Sequence, residues 1–169
     1  MPLAAFDALP DTARLWLIAF TGPVSARQLA PELDNFLGRW RHKGVQYAAT
    51  WTLLKDQILA IAEPTLAAQP SGCAIDGMLR GVHQLADRMG LALLDPQTVL
   101  IEGPQGLQAL DRSGLPAHLE GGNLGPGTPV LDLTLLNLGD LRAGKLVRPL
   151  ATTWIGRKYK IMAPSGNGA

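Results

Sequence analysis

The sequence contains little cysteine, little histidine and almost no net charge. Its 169 residues include one cysteine, Cys73, and three histidines, and the formal net charge is +1. A single cysteine cannot form a disulfide within the chain, which favours a reducing compartment. The nearly neutral charge indicates no strongly acidic or basic partner for the chain as a whole.

Long apolar runs are also missing from the sequence, and we expect no signal peptide. The longest apolar windows, such as residues 15–20, are far shorter than the roughly 20 residues that span a bilayer. The first ten residues, MPLAAFDALP, lack the basic start and the apolar run of a signal peptide. We therefore expect a cytoplasmic protein that does not bind membranes.

A complete phosphate-binding loop is missing as well. The stretch GDLRAGKL, which begins at Gly139, matches the loop pattern except at Leu146, where Ser or Thr would bind magnesium. Pro149 follows closely and disfavours the helix whose N-terminus would hold the phosphates. We expect no nucleotide hydrolysis, and the sequence indicates neither a metal nor a cofactor.

Residues 69–90, QPSGCAIDGMLRGVHQLADRMG, are the most informative stretch that is present. Apolar residues recur there with the 3.6-residue period of a helix, and Gly90 is placed where a C-terminal cap would end it. The N-cap is either Ser71, or Cys73 with Asp76 completing a capping box. Both alternatives place Cys73 in the first turn, where the partial positive charge of the helix end favours a reactive thiolate.

Other features oppose thiol chemistry at this position. Asp76, one turn along, disfavours a second negative charge, and no basic residue lies beside the thiol in sequence. His83 is ten residues away, about 15 Å along a helix axis, and the sequence places neither His42 nor His118 near Cys73. The alternative is a cysteine that packs as a small hydrophobic residue at a tight helix entry.

A second helix is predicted between Ser25 and Gly44. Ser25 is its N-cap, and we interpret Arg39, Arg41 and Lys43 as cations that complement the dipole at its C-terminus. Apolar residues fall on one face of this helix, namely Leu29, Leu33, Phe36, Leu37 and Trp40. The basic residues therefore do not indicate a nucleic-acid site.

The order of the predicted elements is that of a ferredoxin-like domain. Alternating or continuously apolar segments predict four strands, at residues 14–20, 45–53, 57–62 and 98–101. The order along the chain is strand, helix, strand, strand, helix, strand. We therefore expect an α+β fold with a ferredoxin-like βαββαβ antiparallel sheet that carries both helices on one face.

The remainder of the chain is predicted to be an irregular C-terminal extension with extra strands. Residues 103–128 are rich in glycine and proline, with one weak helical pattern at residues 107–111. Regular structure is expected again at residues 129–138, as a strand, and at residues 151–161.

We expect one domain over residues 1–163. Its core spans about residues 14–102 and its extension residues 103–163. Residues 164–169, PSGNGA, are expected to be disordered.

Several of these features together resemble one protein family. They are the segment SGCAID from Ser71 to Asp76 at the start of a helix, an upstream apolar strand that ends in Phe20, Trp40 at the end of the first helix, and Thr153-Trp154 followed by Arg157. In this combination the chain is similar to a group of small uncharacterised bacterial proteins that automated annotation often labels "ABC transporter ATPase".

The resemblance spans most of residues 14–159, and the SGCxID motif is its specific element. It implies a shared fold and a shared site, and it brings no established activity. Ile155 stands where the family pattern leads us to expect a histidine. That difference removes one partner for Cys73.

The predicted function is a binding or adaptor module without catalytic activity. The first helical turn could bind a small anionic ligand through backbone N–H groups; the candidate residues are Ser71, Gly72, Cys73, Ala74 and Asp76. A protein partner or a homodimer is the alternative form of binding. The catalytic alternative is a redox or transfer enzyme that uses Cys73, but such an enzyme needs a nearby base or an oxyanion-stabilising group.

RNA binding is a further alternative. Residues 141–160 contain no acidic residue, and the segment combines cations with aromatic rings as RNA-binding sheets do. The candidate residues are Arg148, Trp154, Arg157, Lys158 and Tyr159. An edge strand with solvated cations and inward-facing rings would give the same pattern, and the nearly neutral chain argues against a nucleic-acid surface.

Overall fold

The computed structural model describes residues 3–64 and 69–163. The strands are β1 (Arg14–Ala19), β2 (Arg41–His42), β3 (Val45–Gln46), β4 (Thr50–Leu54), β5 (Ile58–Glu63), β6 (Thr98–Gly103), β7 (Gly106–Asp111), β8 (Pro129–Leu131) and β9 (Val147–Pro149). The α-helices are α1 (Ala26–Leu37), α2 (Gly72–Arg88), α3 (Leu115–Glu120), α4 (Leu138–Arg142) and α5 (Trp154–Lys158). Short 3₁₀ helices lie at Ala4–Phe6, Arg112–Gly114 and Leu150–Thr152.

These elements form two compact units. The first contains the described residues up to Leu94 together with Leu133–Ala143, and the second contains Asp95–Asp132 and the described residues from Gly144 onward. Both units combine helices with antiparallel sheet, so the predicted α+β class is confirmed.

The sheet of the first unit has three antiparallel strands in the order β1-β5-β4. Ala60 of β5 lies opposite Leu17 of β1 and Thr52 of β4. Every residue of β5 is buried, which explains why its first five residues, 58–62, are all apolar without polar alternation. The predicted strands at residues 14–20 and 57–62 are confirmed.

The predicted strand at residues 45–53 is divided in two. β3 pairs with β2 in a two-residue hairpin, because Lys43 and Gly44 have φ values of 48° and 80° and form its turn. Tyr47 follows β3, and its N–H still donates across the hairpin to the Trp40 carbonyl at 3.0 Å. The chain becomes extended again only at Thr50, the first residue of β4.

The ferredoxin-like βαββαβ sheet is not confirmed, because β6 pairs with β7 and β8 in the other unit. Two short segments contact β1 along its other side instead. Leu94 donates its N–H to the Ala19 carbonyl at 2.8 Å, and Leu15 donates to the Leu136 carbonyl at 3.1 Å. Pro96 follows the first segment and has no N–H with which to continue a ladder.

Helices α1 and α2 pack together in the first unit. Ala74, Met78, Val82 and Leu85 of α2 are buried in the same core cluster as the buried leucines of α1. Gly81 permits the close approach, since a Cβ built there would lie 2.2 Å from Cζ of Phe36.

Arg142 in α4 fixes the returning segment to the N-terminal part of the first unit. Its guanidinium donates to Asp11 Oδ1 at 2.5 Å, to the Phe6 carbonyl at 2.7 Å and to the Leu9 carbonyl at 2.9 Å. Because these acceptors are far away in sequence, no local pattern predicts that residues 133–143 belong to this unit.

The sheet of the second unit has the antiparallel order β7-β6-β8-β9. The helical pattern predicted at residues 107–111 is wrong: these residues lie in β7, where Ala109 is opposite Leu100. Of the strand predicted at residues 129–138, only the first three residues form a strand, which is β8. The regular structure expected at residues 151–161 is the short helix α5, so its cations and rings do not lie on a sheet edge.

The extra strands predicted for the C-terminal extension are present, as β7, β8 and β9. The single domain over residues 1–163 stays a prediction, although β6, which we assigned to its core, belongs to the second unit. The disorder predicted for residues 164–169 lies outside the described residues. Within residues 3–64 and 69–163, no helix is long and apolar enough to cross a membrane.

Candidate functional site

The candidate site lies at the start of α2. Ser71 is the N-cap, in an extended conformation, and its Oγ accepts a hydrogen bond from the Ala74 N–H at 3.2 Å. Of the two predicted caps, Ser71 is therefore the one formed. Cys73 is the second residue of the helix and its side chain is exposed, which contradicts the alternative of a packed structural cysteine.

Trp40 holds the start of α2 against the segment that follows α1. Its indole Nε1–H donates to the Ala74 carbonyl at 3.1 Å, and only 6% of its surface is exposed. The ring meets Trp16 edge to face, with centroids 5.7 Å apart, and lies 4.7 Å from the ring of Tyr47. These contacts fix the first turn of the helix relative to α1.

A pocket of about 370 Å³ opens beside this turn. Its lining residues come from α1, from β2 and the residues before it, and from α2. They are Glu32, Asn35, Phe36, Arg39, Trp40, Arg41, His42, Cys73, Ala74, Gly77, Met78 and Arg88. The volume is within the usual range for small-molecule sites.

The charged side chains around the pocket are mostly cationic. Three arginines and His42 line it, against Glu32 as the single carboxylate. Arg41 is oriented by its neighbours, because its Nε donates to Gln46 Oε1 while Gln46 Nε2 donates to the Gly38 carbonyl at 2.8 Å.

The cationic wall of the pocket, formed by Arg39 and Arg41, was not predicted from the sequence. We interpreted Arg39, Arg41 and Lys43 as the basic end of a helix, but α1 ends at Leu37 and has no basic residue in its last turn. Arg41 and His42 lie in β2, and the hairpin brings them to the pocket that Cys73 lines. The available signal was Lys43-Gly44, which also fits a hairpin turn.

The predicted ligand-binding residues are only partly brought together. Cys73 and Ala74 line the pocket. Ser71 acts as the cap, and Gly72 and Asp76 are exposed without belonging to the lining. His83 is exposed on α2, and His118 belongs to the second unit.

No group of three or more His, Cys, Asp or Glu side chains in the described part of the chain is arranged to hold a metal ion. The pocket offers one histidine, one cysteine and one carboxylate among arginines. Arginine provides planar hydrogen-bond donors of the kind that bind carboxylates and phosphates.

The aromatic rings of the C-terminal segment already have cations beside them. The Arg112 guanidinium lies 4.7 Å from the ring of Trp154, and the Lys158 ammonium lies 5.5 Å from that of Tyr159. Both rings also pack against the core of the second unit. Stacking of RNA bases would require these contacts to change.

Arg148, also in this segment, is engaged as well. It donates to the Thr152 carbonyl at 2.7 Å and lies 3.5 Å from Asp132 Oδ2. Arg157 is exposed. RNA binding through this segment stays a prediction.

Comparisons of the chain with protein-family models, with curated proteins and with solved structures found no match. The resemblance to the bacterial group with the SGCxID motif therefore stays a prediction.

Proposed function

We propose that the protein is a binding module whose pocket at the start of α2 takes a small anionic ligand. The observation that carries this proposal is that three arginines, Arg39, Arg41 and Arg88, line one pocket that has a single carboxylate, Glu32. The guanidinium charges of Arg39 and Arg41 on this lining repel each other, so an anion bound beside them lowers their electrostatic energy.

The N-terminus of α2 also attracts an anion. The first backbone N–H groups of a helix have no acceptor within it, and Ser71 Oγ takes up only that of Ala74. The partial positive charge at the start of the 17-residue helix α2 therefore reinforces the neighbouring arginines.

The orientation of Arg41 also favours binding. A long side chain that is free in solution loses rotamer entropy when it contacts a ligand. Arg41 is already held by Gln46, which is held in turn by the Gly38 carbonyl. Part of the rotamer entropy of Arg41 is therefore already lost in the folded protein before a ligand binds.

Neutralising this wall is expected to weaken anion binding. We expect the double variant Arg39→Gln, Arg41→Gln to bind benzoate, octanoate or inorganic phosphate at least about fivefold more weakly, because charge-assisted hydrogen bonds are strong, although these arginines are exposed to solvent screening. Titration followed by NMR at low salt measures the affinity and shows whether the amides of Arg39 to His42 and of Cys73 shift.

The matched control is Arg80→Gln, which removes an exposed charge from α2 outside the pocket lining. It should leave affinity within about twofold at moderate salt, since exposed charges further away are screened. Equal binding by the double variant and the unmodified protein would contradict the proposal, as would a failure of all three anions to bind.

A thiol-dependent enzyme is the second candidate, favoured by one observation: His42 lines the same pocket as Cys73. An imidazole can accept the proton of a thiol and so raise the fraction of nucleophilic thiolate. The same arginines would then bind an anionic substrate beside the sulfur.

This candidate predicts that His42→Asn lowers the rate of Cys73 alkylation by iodoacetamide at pH 7 roughly tenfold, since only a few per cent of a free thiol is ionised there. Iodoacetamide is uncharged, so the rate does not depend on anion binding. His83→Asn, on the exposed surface of α2, is the control. Equal rates for the two variants would reject a Cys-His pair and leave the binding module as the function.

We also propose that the first unit is a modified ferredoxin-like arrangement. Support comes from the order β1-β5-β4 and from the chain order β1, α1, β4, β5, α2, which correspond to the first five elements of βαββαβ. The place of the sixth element would then be shared by residues 91–94 and by the segment around Leu136.

We infer a cytoplasmic location. The support is chemical: Cys73 is an exposed, unpaired thiol, and reducing compartments keep such thiols free.

A further inference from the structure

Gly77 lies in the interior of α2 without a packing reason. Glycine destabilises a helix relative to alanine, so its presence in mid-helix usually has a cause. At Gly81 the cause is the ring of Phe36. At Gly77 a Cβ would have no atom of the described residues within 4 Å apart from the neighbouring backbone of α2 itself, and the residue is exposed.

Gly77 lines the pocket, and so does Phe36 of α1. It follows Cys73 by four residues, about 6 Å along the helix axis. Beyond the cationic wall, the pocket therefore continues over bare helix backbone and the half-buried ring of Phe36. A side chain at position 77 would project into this space.

The lining of the pocket also extends along α2. Cys73 and Arg88 both contribute to it, and their positions in the sequence differ by 15, which corresponds to about 22 Å along the helix axis. A compact anion such as phosphate would occupy only the end near Arg39, Arg41 and His42. Such an anion would not reach the parts of the lining formed by Phe36 and Gly77.

We propose that the ligand is an elongated carboxylate with an apolar body, of the aryl or acyl class; this inference rests on the proposed anion site. The carboxylate lies between Arg39, Arg41 and His42, where bidentate hydrogen bonds to a guanidinium are available. The apolar body lies against Phe36 and the helix backbone at Gly77. The missing side chain at position 77 is what admits it.

Four probes distinguish the contribution of the anionic group to affinity from that of the apolar body. Inorganic phosphate and acetate supply charge without a body, whereas benzoate and octanoate supply both. We expect benzoate and octanoate to bind at least about tenfold more tightly than acetate, because apolar area is buried only by the longer molecules.

Two substitutions test the role of position 77. Gly77→Leu fills the space and is expected to lower the affinity for benzoate and octanoate at least about tenfold, as lost burial of several methylene groups requires. The affinities for acetate and phosphate should stay within about twofold. Gly77→Ala should raise the thermal midpoint of unfolding, because alanine favours the helix, while weakening octanoate binding less than leucine does.

Gln84→Ala, an exposed change on the same helix outside the pocket lining, controls for general effects on α2. If Gly77→Leu leaves octanoate and benzoate binding unchanged while the double arginine variant weakens it, the elongated ligand is rejected and the anion site stands. If phosphate binds as tightly as octanoate, the apolar body is rejected. If none of the four probes binds, the anion site itself is rejected.

Discussion

Replacing Trp40 with alanine is expected to lower the free energy of unfolding by about 3–5 kcal/mol, the usual range for removing a buried tryptophan. The side chain is 6% exposed and contacts the rings of Trp16 and Tyr47. Its loss leaves a cavity beside the start of α2. It also removes the hydrogen bond to the Ala74 carbonyl, which adds about 1 kcal/mol to the typical cost of the cavity.

Two further variants separate the contributions. Trp40→Phe keeps an aromatic ring but cannot donate to Ala74, so we expect a smaller loss, about 1–2 kcal/mol. Trp51→Ala removes a half-buried tryptophan whose Nε1 donates to Asp34 Oδ1 at 2.7 Å in an exposed position. Urea unfolding followed by far-UV circular dichroism gives all three values. A loss for Trp40→Ala no greater than that for Trp51→Ala would show that Trp40 does not hold the helix.

Local patterns predicted the elements that bury a face of their own. The period of apolar residues at 71–90 gave α2 to within two residues of its observed ends, because one face of the helix packs in the core. The segment at residues 57–62, which is apolar after Gln57, predicted β5, the central strand of its sheet. In both cases the sequence of one segment contains the whole signal.

Pairing between distant segments could not be predicted in this way. An alternating or apolar pattern identifies β6 as a strand but does not tell which sheet it joins. Residues 133–143 return to the first unit through Arg142 and through the Leu136 carbonyl, which accepts from Leu15. These contacts join residues more than 100 positions apart, where no periodicity can indicate a partner.

A turn signal was present but misinterpreted for β7. Gly103 and Gly106 face each other across the two residues between them, and Gly106 has a φ of 115°. The Gly103-Pro104 dipeptide marks a turn between two strand-like segments. The leucines of GLQALD resemble one helical turn only when that hairpin signal is ignored.

The candidate site shows the same division between local and distant information. Cys73 was placed correctly in the first turn of a helix, since the N-cap and the helix period are local signals. The pocket could not be predicted, because it depends on the β2-β3 hairpin bringing Arg41 and His42 to that turn. A helix dipole and a lone thiol are weak indications, whereas the arginines supplied by the fold give the site its charge.

Replacing Gly156 with alanine is expected to destabilise the second unit by about 2 kcal/mol, although alanine favours helices over glycine. A Cβ at this position in α5 would lie 2.4 Å from the Ala151 carbonyl oxygen and 2.7 Å from its carbonyl carbon. These are backbone atoms, which cannot rotate away as a side chain can. The preceding 3₁₀ helix, with Leu150 fully buried, must therefore move, and forced overpacking of this kind typically costs about 1–3 kcal/mol.

Gly127→Ala is the matched control in the same unit, because a Cβ there has no atom of the described residues within 4 Å and the residue is exposed. Its effect should stay within about 0.5 kcal/mol. Urea unfolding gives both values, and hydrogen exchange of the amides in β6 and β8 reports locally on the second unit. Equal stability of the two variants would mean that α5 and the 3₁₀ helix can separate without cost. The close contact at Gly156 would then not contribute to holding Trp154 and Ile155 in place.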